Sequence, residues 1–201
     1  MALISIDEVK DGVTLGLWKI EETEDQFFEM YPHLAPCREK LDEKFKFEGR
    51  KLEFLAIRAL LYEITGDSDL IIRHNKAGKP LLEGWNISIS HTKGWAVLIL
   101  SQTRKVAIDI EYYSDRVSKI VSKFVRPDED APDVKNQLIT WSAKETTYKY
   151  FSEDDLQFTD MKVFKINDGN CAVINFKQYE SIPITYEINK DYVLTYTYST
   201  K

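Results

Sequence analysis

The spacing of apolar residues predicts three helices in the middle of the chain. The first covers residues 50–66 and ends at Gly66, since glycine favours helix ends. Its predicted buried face repeats at intervals of three and four residues, at Leu52, Leu55, Ala56, Ala59 and Leu60. The second covers residues 114–129, with Pro127 ending it, and the third covers residues 139–150.

Strand-like runs surround these helices. Three of them, "WNISISHT", "WAVLILSQ" and "KVAIDIEYY", lie between residues 85 and 113. Four more follow from Met161 to Tyr198: "MKVFKI", "CAVINF", "ITYEI" and "YVLTYTY". Glycine and asparagine predict a hairpin turn at Asn167–Asn170, and Gly78 with Pro80 predicts a turn at "NKAGKP".

The mixture of strands and helices predicts an α+β fold. The chain divides into two similar halves, residues 1–107 and 108–201, each with a helix and several strands. We expect each half to form an antiparallel sheet, and the two halves to be related by a pseudo-two-fold arrangement.

Two carboxylates lie on one face of a predicted strand. Because side chains alternate along a strand, Asp109 and Glu111 point the same way, one pleat apart. Paired carboxylates repel one another, and a divalent cation such as Mg²⁺ would compensate for their charge. The alternative is an exposed strand edge that faces water.

Other candidate residues are each ambiguous when taken alone. In the third helix Lys144 and Glu145 are adjacent, and such a pair is usually solvated; Glu145 could equally form a surface salt bridge with Lys149. The run Ser90–Thr92 at a strand end could contact phosphate, although a lone histidine is more often structural. No P-loop, dinucleotide fingerprint or zinc motif occurs.

Composition narrows the function classes. The 201 residues suffice for one domain or two small halves, with 43% apolar residues for a core. A net charge of −6 argues against nucleic acid as a partner, because phosphates require a basic surface. No membrane-length apolar run or secretory signal is visible, and the two cysteines are far apart. We therefore expect a cytoplasmic protein with reduced thiols.

Four motifs taken in order resemble one enzyme family. They are "GKP" (78–80), "NISISHT" (86–92), "VAIDIE" (106–111) and "WSAKETTYK" (141–149), preceded by the basic helix start "RKLEFLAIR" (50–58). Together these motifs resemble the 4′-phosphopantetheinyl transferases. The resemblance is to the single-chain, pseudo-dimeric type that activates peptide and polyketide synthases, such as surfactin synthetase, rather than to the short trimeric type. It covers about half of the chain.

The resemblance implies a reaction and a set of site residues. Members transfer the phosphopantetheine arm of coenzyme A to a serine of an apo carrier protein and release adenosine 3′,5′-bisphosphate. The metal ligands for Mg²⁺ would be Asp109, Glu111 and Glu145, and the catalytic residues Glu145, Lys149 and His91. The residues implied for coenzyme A phosphates are Arg50, Lys79, Ser90, His91 and Lys149, with Arg38 and Lys40 as further 3′-phosphate contacts.

The resemblance also assigns a role to each half and a partner. The first half would hold the coenzyme A phosphates, and the second would hold the metal ligands and the catalytic helix. Carrier proteins are acidic around their serine, so the basic stripe Arg116, Lys119 and Lys123 would steer them, unless it is an ordinary solvated face. A chain containing both halves is expected to be a monomer.

This sequence departs from the family pattern in two places. Ala107 stands where glycine is common, and "YFSEDDLQF" follows the third helix where many members have a glycine-containing turn. Three other functions stay open: a non-catalytic relative that binds coenzyme A or carrier protein, another Mg²⁺-dependent phosphate enzyme, and a structural domain.

Overall fold

The computed structural model describes residues 3–200, except for the side chain of Lys40. The chain divides into two units, Met1–Arg104 and Lys105–Lys201. Each unit has its own sheet and its own helix packed on that sheet.

The first unit contains a four-stranded antiparallel sheet in the order β1-β2-β6-β5. Its strands are β1 (Leu3–Lys10), β2 (Val13–Lys19), β5 (Asn86–Thr92) and β6 (Trp95–Ser101), and β3 (Arg73–His74) pairs separately with β4 (Pro80–Leu81). Its helices are α1 (Glu24–Met30), a 3-10 helix (Pro32–Cys37), α2 (Arg38–Lys44) and α3 (Glu48–Thr65).

Helix α3 packs against β2 and β6 and forms the core of the first unit with them. Leu55, Ala56, Ala59 and Leu60 are buried as the apolar spacing predicts. The helix ends at Gly66, whose φ of 67° is in the left-handed region that glycine adopts without strain. The predicted extent and end of this helix are therefore confirmed to within two residues.

The second unit contains a five-stranded antiparallel sheet in the order β7-β11-β10-β9-β8. Its strands are β7 (Val106–Tyr112), β8 (Met161–Asn167), β9 (Asn170–Asn175), β10 (Glu180–Ile188) and β11 (Tyr192–Tyr198). The long helix α4 (Val134–Tyr150) lies on this sheet against β7 and β11. A 3-10 helix (Asp115–Lys123) packs on α4, and a short 3-10 turn (Phe158–Asp160) precedes β8.

The predicted α+β fold with antiparallel sheets is confirmed. The predicted hairpin turn lies between β8 and β9, with Gly169 at a φ of 75°. Within residues 3–200, none of the helices combines the length and the apolar character that a membrane crossing requires.

The helix predicted over residues 114–129 is confirmed in part, because the helix observed there is shorter and of the 3-10 type. The segment forms a 3-10 helix from Asp115 to Lys123, which begins where Ser114 accepts a hydrogen bond from the backbone N–H of Arg116. Three β-branched residues, Val117, Ile120 and Val121, lower its preference for the α-helix. In the 3-10 form residues three apart align, which brings Val117 and Ile120 to the core of the second unit.

A close approach between β2 and α3 leaves little room for a side chain at position 16. A Cβ atom there would lie 2.8 Å from Leu60 Cδ2 and 3.1 Å from Ile64 Cδ1. We expect Gly16→Val to lower the free energy of unfolding by about 1–3 kcal/mol through overpacking, measured by urea denaturation. Gly49→Ala is the matched control, because no atom lies within 4 Å of its Cβ and alanine favours a helix. Equal stability of Gly16→Val and wild type would contradict this account of the packing.

Candidate functional site

One face of helix α4 carries a row of polar residues that includes two of the predicted site residues. The helix begins at Asp133, whose side chain accepts a hydrogen bond from the backbone N–H of Asn136. Ser142, Glu145 and Lys149 follow at intervals of three and four residues, so they share one side of the helix. Because α4 packs on β7 and β11, this side faces strands of the sheet.

Hydroxyl groups link α4 to two neighbouring strands. Asp109 in β7 is the register partner of Thr195 in β11. Ser142 Oγ donates to Asp109 Oδ2 at 2.8 Å and lies 2.9 Å from Thr195 Oγ1. Thr146 Oγ1 lies 2.6 Å from the same threonine oxygen. All four side chains are buried, so the network fixes the register of the helix over the sheet.

The carboxylate of Asp109 is compensated by an ammonium group. Lys149 Nζ lies 2.7 Å from Asp109 Oδ1 and donates to the carbonyl of Ile108 at 3.0 Å. The Asp109 side chain is 5% exposed and the Lys149 side chain 27%. The alternative of a strand edge that faces water therefore does not hold for Asp109, which is a buried charge with a partner.

Two further carboxyl groups lie in the field of Asp109. Trp141 Nε1 donates to Glu111 Oε1 at 2.8 Å. Burial, followed by the charge of Asp109, raises the pKa of Glu111 to about 7, although the Trp141 hydrogen bond opposes the shift. Burial and the charge of Asp109 also raise the pKa of Glu145, against the effect of Lys149. The three carboxyl groups are thus electrostatically coupled, with one ammonium beside them.

The fit of these residues to a metal ion can be judged from their chemistry. Asp109, Glu111 and Glu145 offer only oxygen donors, which suit Mg²⁺. In the described part of the chain, no three Asp, Glu, His or Cys side chains are placed to hold one ion together. Lys149 instead bonds to one oxygen of Asp109. The donor set fits Mg²⁺, and its side chains would have to rotate to share an ion.

The first unit brings together two of the residues predicted to bind coenzyme A phosphates. Arg50 Nη1 in α3 lies 3.2 Å from His91 Nδ1 in β5 and donates to Glu53 Oε2 at 3.0 Å. The same Glu53 oxygen lies 3.2 Å from His91 Nδ1. A carboxylate therefore holds the two basic side chains in contact on neighbouring elements.

The other predicted phosphate contacts are more dispersed in the first unit. Ser90 is buried in β5, and its side chain alternates with that of His91 along the strand. Lys79 lies in the turn before β4, where its backbone N–H donates to Asn75 Oδ1 at 2.9 Å. Arg38 Nη2 pairs with Asp25 Oδ1 at 3.0 Å, and the side chain of Lys40 lies outside the described part.

The second unit is similar to a known protein family. A model of the 4′-phosphopantetheinyl transferase superfamily matches residues 105–197. This part of the chain is similar to that superfamily. The match includes β7 and α4, and hence the three coupled carboxyl groups and Lys149.

A curated member of the superfamily is similar over a longer stretch. The 4′-phosphopantetheinyl transferase HetI of Nostoc sp. (strain PCC 7120) is 25% identical over 157 residues. The alignment covers 66% of this chain and 66% of HetI, so the chain spans just under two thirds of its relative's length.

The sequence patterns do not predict the residues that support the three carboxyl groups of the second unit. The sequence patterns assign no role to Trp141, Ser142, Thr146 or Thr195. Serine and threonine are weak helix formers, so Ser142 and Thr146, one turn apart inside a helix, were an available signal for a polar contact. Lys144 is not the solvated residue that such a Lys-Glu pair usually contains, because the structure buries its side chain completely.

The raised pKa of Glu111 predicts how pH changes the stability of the metal-free protein. Between the ordinary pKa of 4.5 and about 7, the unfolded chain loses this proton before the folded protein does. The stability that comes from the protonated group is present below pH 4.5 and is lost as pH rises to about 7. In urea denaturation with EDTA, wild type should lose more stability over this range than Glu111→Gln. Equal pH dependence of the two proteins would contradict the shift.

Proposed function

We propose that this protein transfers the 4′-phosphopantetheine arm of coenzyme A to a serine of an apo carrier protein, in a Mg²⁺-dependent reaction. The observation that carries the proposal is the set of coupled carboxyl groups, Asp109, Glu111 and Glu145, beside Lys149 within the superfamily match. A holo-carrier-protein synthase needs this combination, because it must bind a metal ion and an anionic pyrophosphate together.

The metal would be held by Asp109, Glu111 and Glu145. Bound Mg²⁺ would neutralise charge on the pyrophosphate of coenzyme A, which is chiefly what catalysis of phosphoryl transfer requires. Lys149 would then exchange its contact with Asp109 for a pyrophosphate oxygen. Its partly exposed side chain and flexible stem suit it to this exchange.

Bond making and breaking follow from the proposed substrates. The serine oxygen of the carrier forms a bond to the phosphorus that bears the pantetheine arm. The bond from that phosphorus to the bridging oxygen breaks, and adenosine 3′,5′-bisphosphate leaves. Glu145, directly or through a water molecule, accepts the serine proton as a general base.

The first unit would supply the contacts to the other phosphates of coenzyme A. Arg50 and His91 are already adjacent, and the Glu53 carboxylate contacts both of them. In the proposed complex a phosphate group would take over these contacts. Lys79 and Ser90 complete the proposed set. His91 belongs to the catalytic set through its phosphate contact. Residues 1–107 would thus bind coenzyme A, and residues 108–201 would carry the metal and the chemistry.

The partner surface is proposed on the 3-10 helix of the second unit. Arg116, Lys119 and Lys123 are all exposed there, and the helix packs on α4. An acidic carrier protein would be attracted to this surface. We further propose that the protein works as a cytoplasmic monomer of the single-chain, pseudo-dimeric type.

Intact-mass spectrometry tests the proposed reaction directly. Apo carrier proteins are incubated with this protein, coenzyme A and Mg²⁺, with and without EDTA. A gain of one phosphopantetheine arm that EDTA abolishes is the expected result, and the carrier modified fastest identifies the preferred class. Binding of coenzyme A without a mass gain on any carrier would favour a non-catalytic relative.

Removing the proposed base should abolish transfer and spare the fold. We expect Glu145→Ala to lower kcat by about 10² to 10⁴-fold, the range for general base catalysis, with an unchanged circular dichroism spectrum. Glu153→Ala is the matched control, since Glu153 is exposed just beyond α4. Wild-type turnover by Glu145→Ala would reject the assigned role.

Reversing the basic stripe should weaken the carrier interaction. We expect Lys119→Glu/Lys123→Glu to raise KM for the carrier about tenfold at low salt, and less at high salt, because screening removes the attraction. Lys10→Glu/Lys190→Glu makes the same change in net charge at exposed positions elsewhere. If both double variants shift KM equally, the stripe is ordinary surface.

A further inference from the structure

A lysine lies fully buried in the middle of α4, beside the proposed base. The side chain of Lys144 is 0% exposed. Its Nζ donates to the carbonyl of Phe124 at 2.6 Å, to Glu129 Oε2 at 2.7 Å and to the carbonyl of Phe158 at 3.1 Å. An ammonium group has three N–H bonds, so each has an acceptor.

The partner of Lys144 is bonded just as completely. The Glu129 side chain is 2% exposed. Its Oε1 accepts a hydrogen bond from the backbone N–H of Val163 at 2.6 Å, and its Oε2 accepts one from Arg126 at 2.7 Å. The pair therefore ties α4 to the segment after the 3-10 helix and to the first residues of β8.

The two residues whose carbonyls bond Lys144 also enclose an aromatic ring. The rings of Phe124 and Trp141 meet edge-on, with centroids 5.1 Å apart and planes at 82°. The rings of Phe158 and Trp141 are 4.9 Å apart at 32°. We call these three rings the aromatic bracket. Trp141 is its only member with a polar hydrogen, and that hydrogen goes to Glu111.

We propose that Lys144 is a positioning residue for the carboxyl group of Glu111. It holds the backbone of Phe124 and Phe158, their rings orient Trp141, and the indole N–H fixes Glu111 Oε1. Mutation of a group that orients a metal ligand typically lowers metal affinity or activity about ten- to hundredfold. The effect on metal and transfer rests on the proposed function, whereas the orientation of Trp141 does not.

A purely structural ion pair makes a different prediction from a positioning lysine. Replacing both partners of a buried pair with apolar residues often leaves the stability of the protein unchanged or higher. Removing one partner leaves the other as an unpaired buried charge, which lowers stability. Apolar residues cannot donate to the carbonyls of Phe124 and Phe158. The double variant Lys144→Met/Glu129→Leu therefore distinguishes a structural role of Lys144 from a positioning role. It can recover the stability that Lys144→Met loses, but it cannot recover the hydrogen bonds that hold Phe124 and Phe158 of the aromatic bracket.

The experiment follows the indole N–H of Trp141 by ¹⁵N–¹H correlation spectroscopy. The chain has four tryptophans, and Trp141→Phe identifies the signal by its loss. Spectra are recorded without metal for wild type, Lys144→Met, the double variant and the control Lys135→Met, which changes an exposed lysine on the same helix. Mg²⁺ is then titrated into each protein, and Kd and transfer kinetics are measured.

The expected result is a displaced or broadened Trp141 signal in the folded double variant and an unchanged signal in Lys135→Met. The Kd for Mg²⁺ should rise about ten- to hundredfold, the range seen when supporting groups are lost, with little change in KM for coenzyme A. If Lys144→Met does not fold, the double variant still decides. An unmoved Trp141 signal and an unchanged Mg²⁺ Kd in a stable double variant would overturn the proposal.

The experiment distinguishes failure of the proposed transfer reaction from failure of the role proposed for Lys144. A wild-type protein that modifies no carrier protein would reject the transfer reaction, and the metal-free Trp141 signal would still report whether Lys144 orients the bracket. Conversely, normal transfer and metal binding by the double variant would retain the reaction and reject the role of Lys144.

Discussion

A carboxylate buried in a sheet is the constraint on which the second unit depends. Asp109 is 4% exposed, and an unpaired charge there would oppose folding. Lys149 supplies the opposite charge and Ser142 a hydrogen bond, both from the same face of α4. These contacts with Asp109 help to hold the helix in its observed position over β7 and β11.

The same arrangement leaves three carboxyl groups with less positive charge than they need. With one ammonium beside three carboxyl groups, burial and mutual repulsion raise the pKa of Glu111 and of Glu145. A further positive charge would relieve this repulsion. The hydroxyl network and the aromatic bracket are neutral, so they hold the carboxyl groups in place without compensating for their negative charge.

The first unit shows the complementary chemistry. There Glu53 holds Arg50 and His91 together across α3 and β5, on a rigid helix and a rigid strand. An anionic ligand could take over the contacts that the carboxylate makes, since guanidinium and imidazolium groups bond phosphate as readily. Two basic side chains thus meet in the first unit, and three carboxyl groups meet in the second.

The sequence by itself determined whatever depends on neighbours along the chain. Periodicity located α3 with its end at Gly66, the strands β5 and β6 and the five strands of the second sheet, and alternation placed Asp109 and Glu111 on one face. It did not predict β1 and β2 of the first sheet. Only the tertiary structure decided which distant groups meet. Three features arise from packing between elements far apart in sequence: the pairing of Asp109 with Lys149, the burial of Lys144 against Glu129 and the 3-10 form of residues 115–123. For the buried charges, the loss of hydration on burial competes with the attraction between the paired groups, and local sequence does not show which is larger.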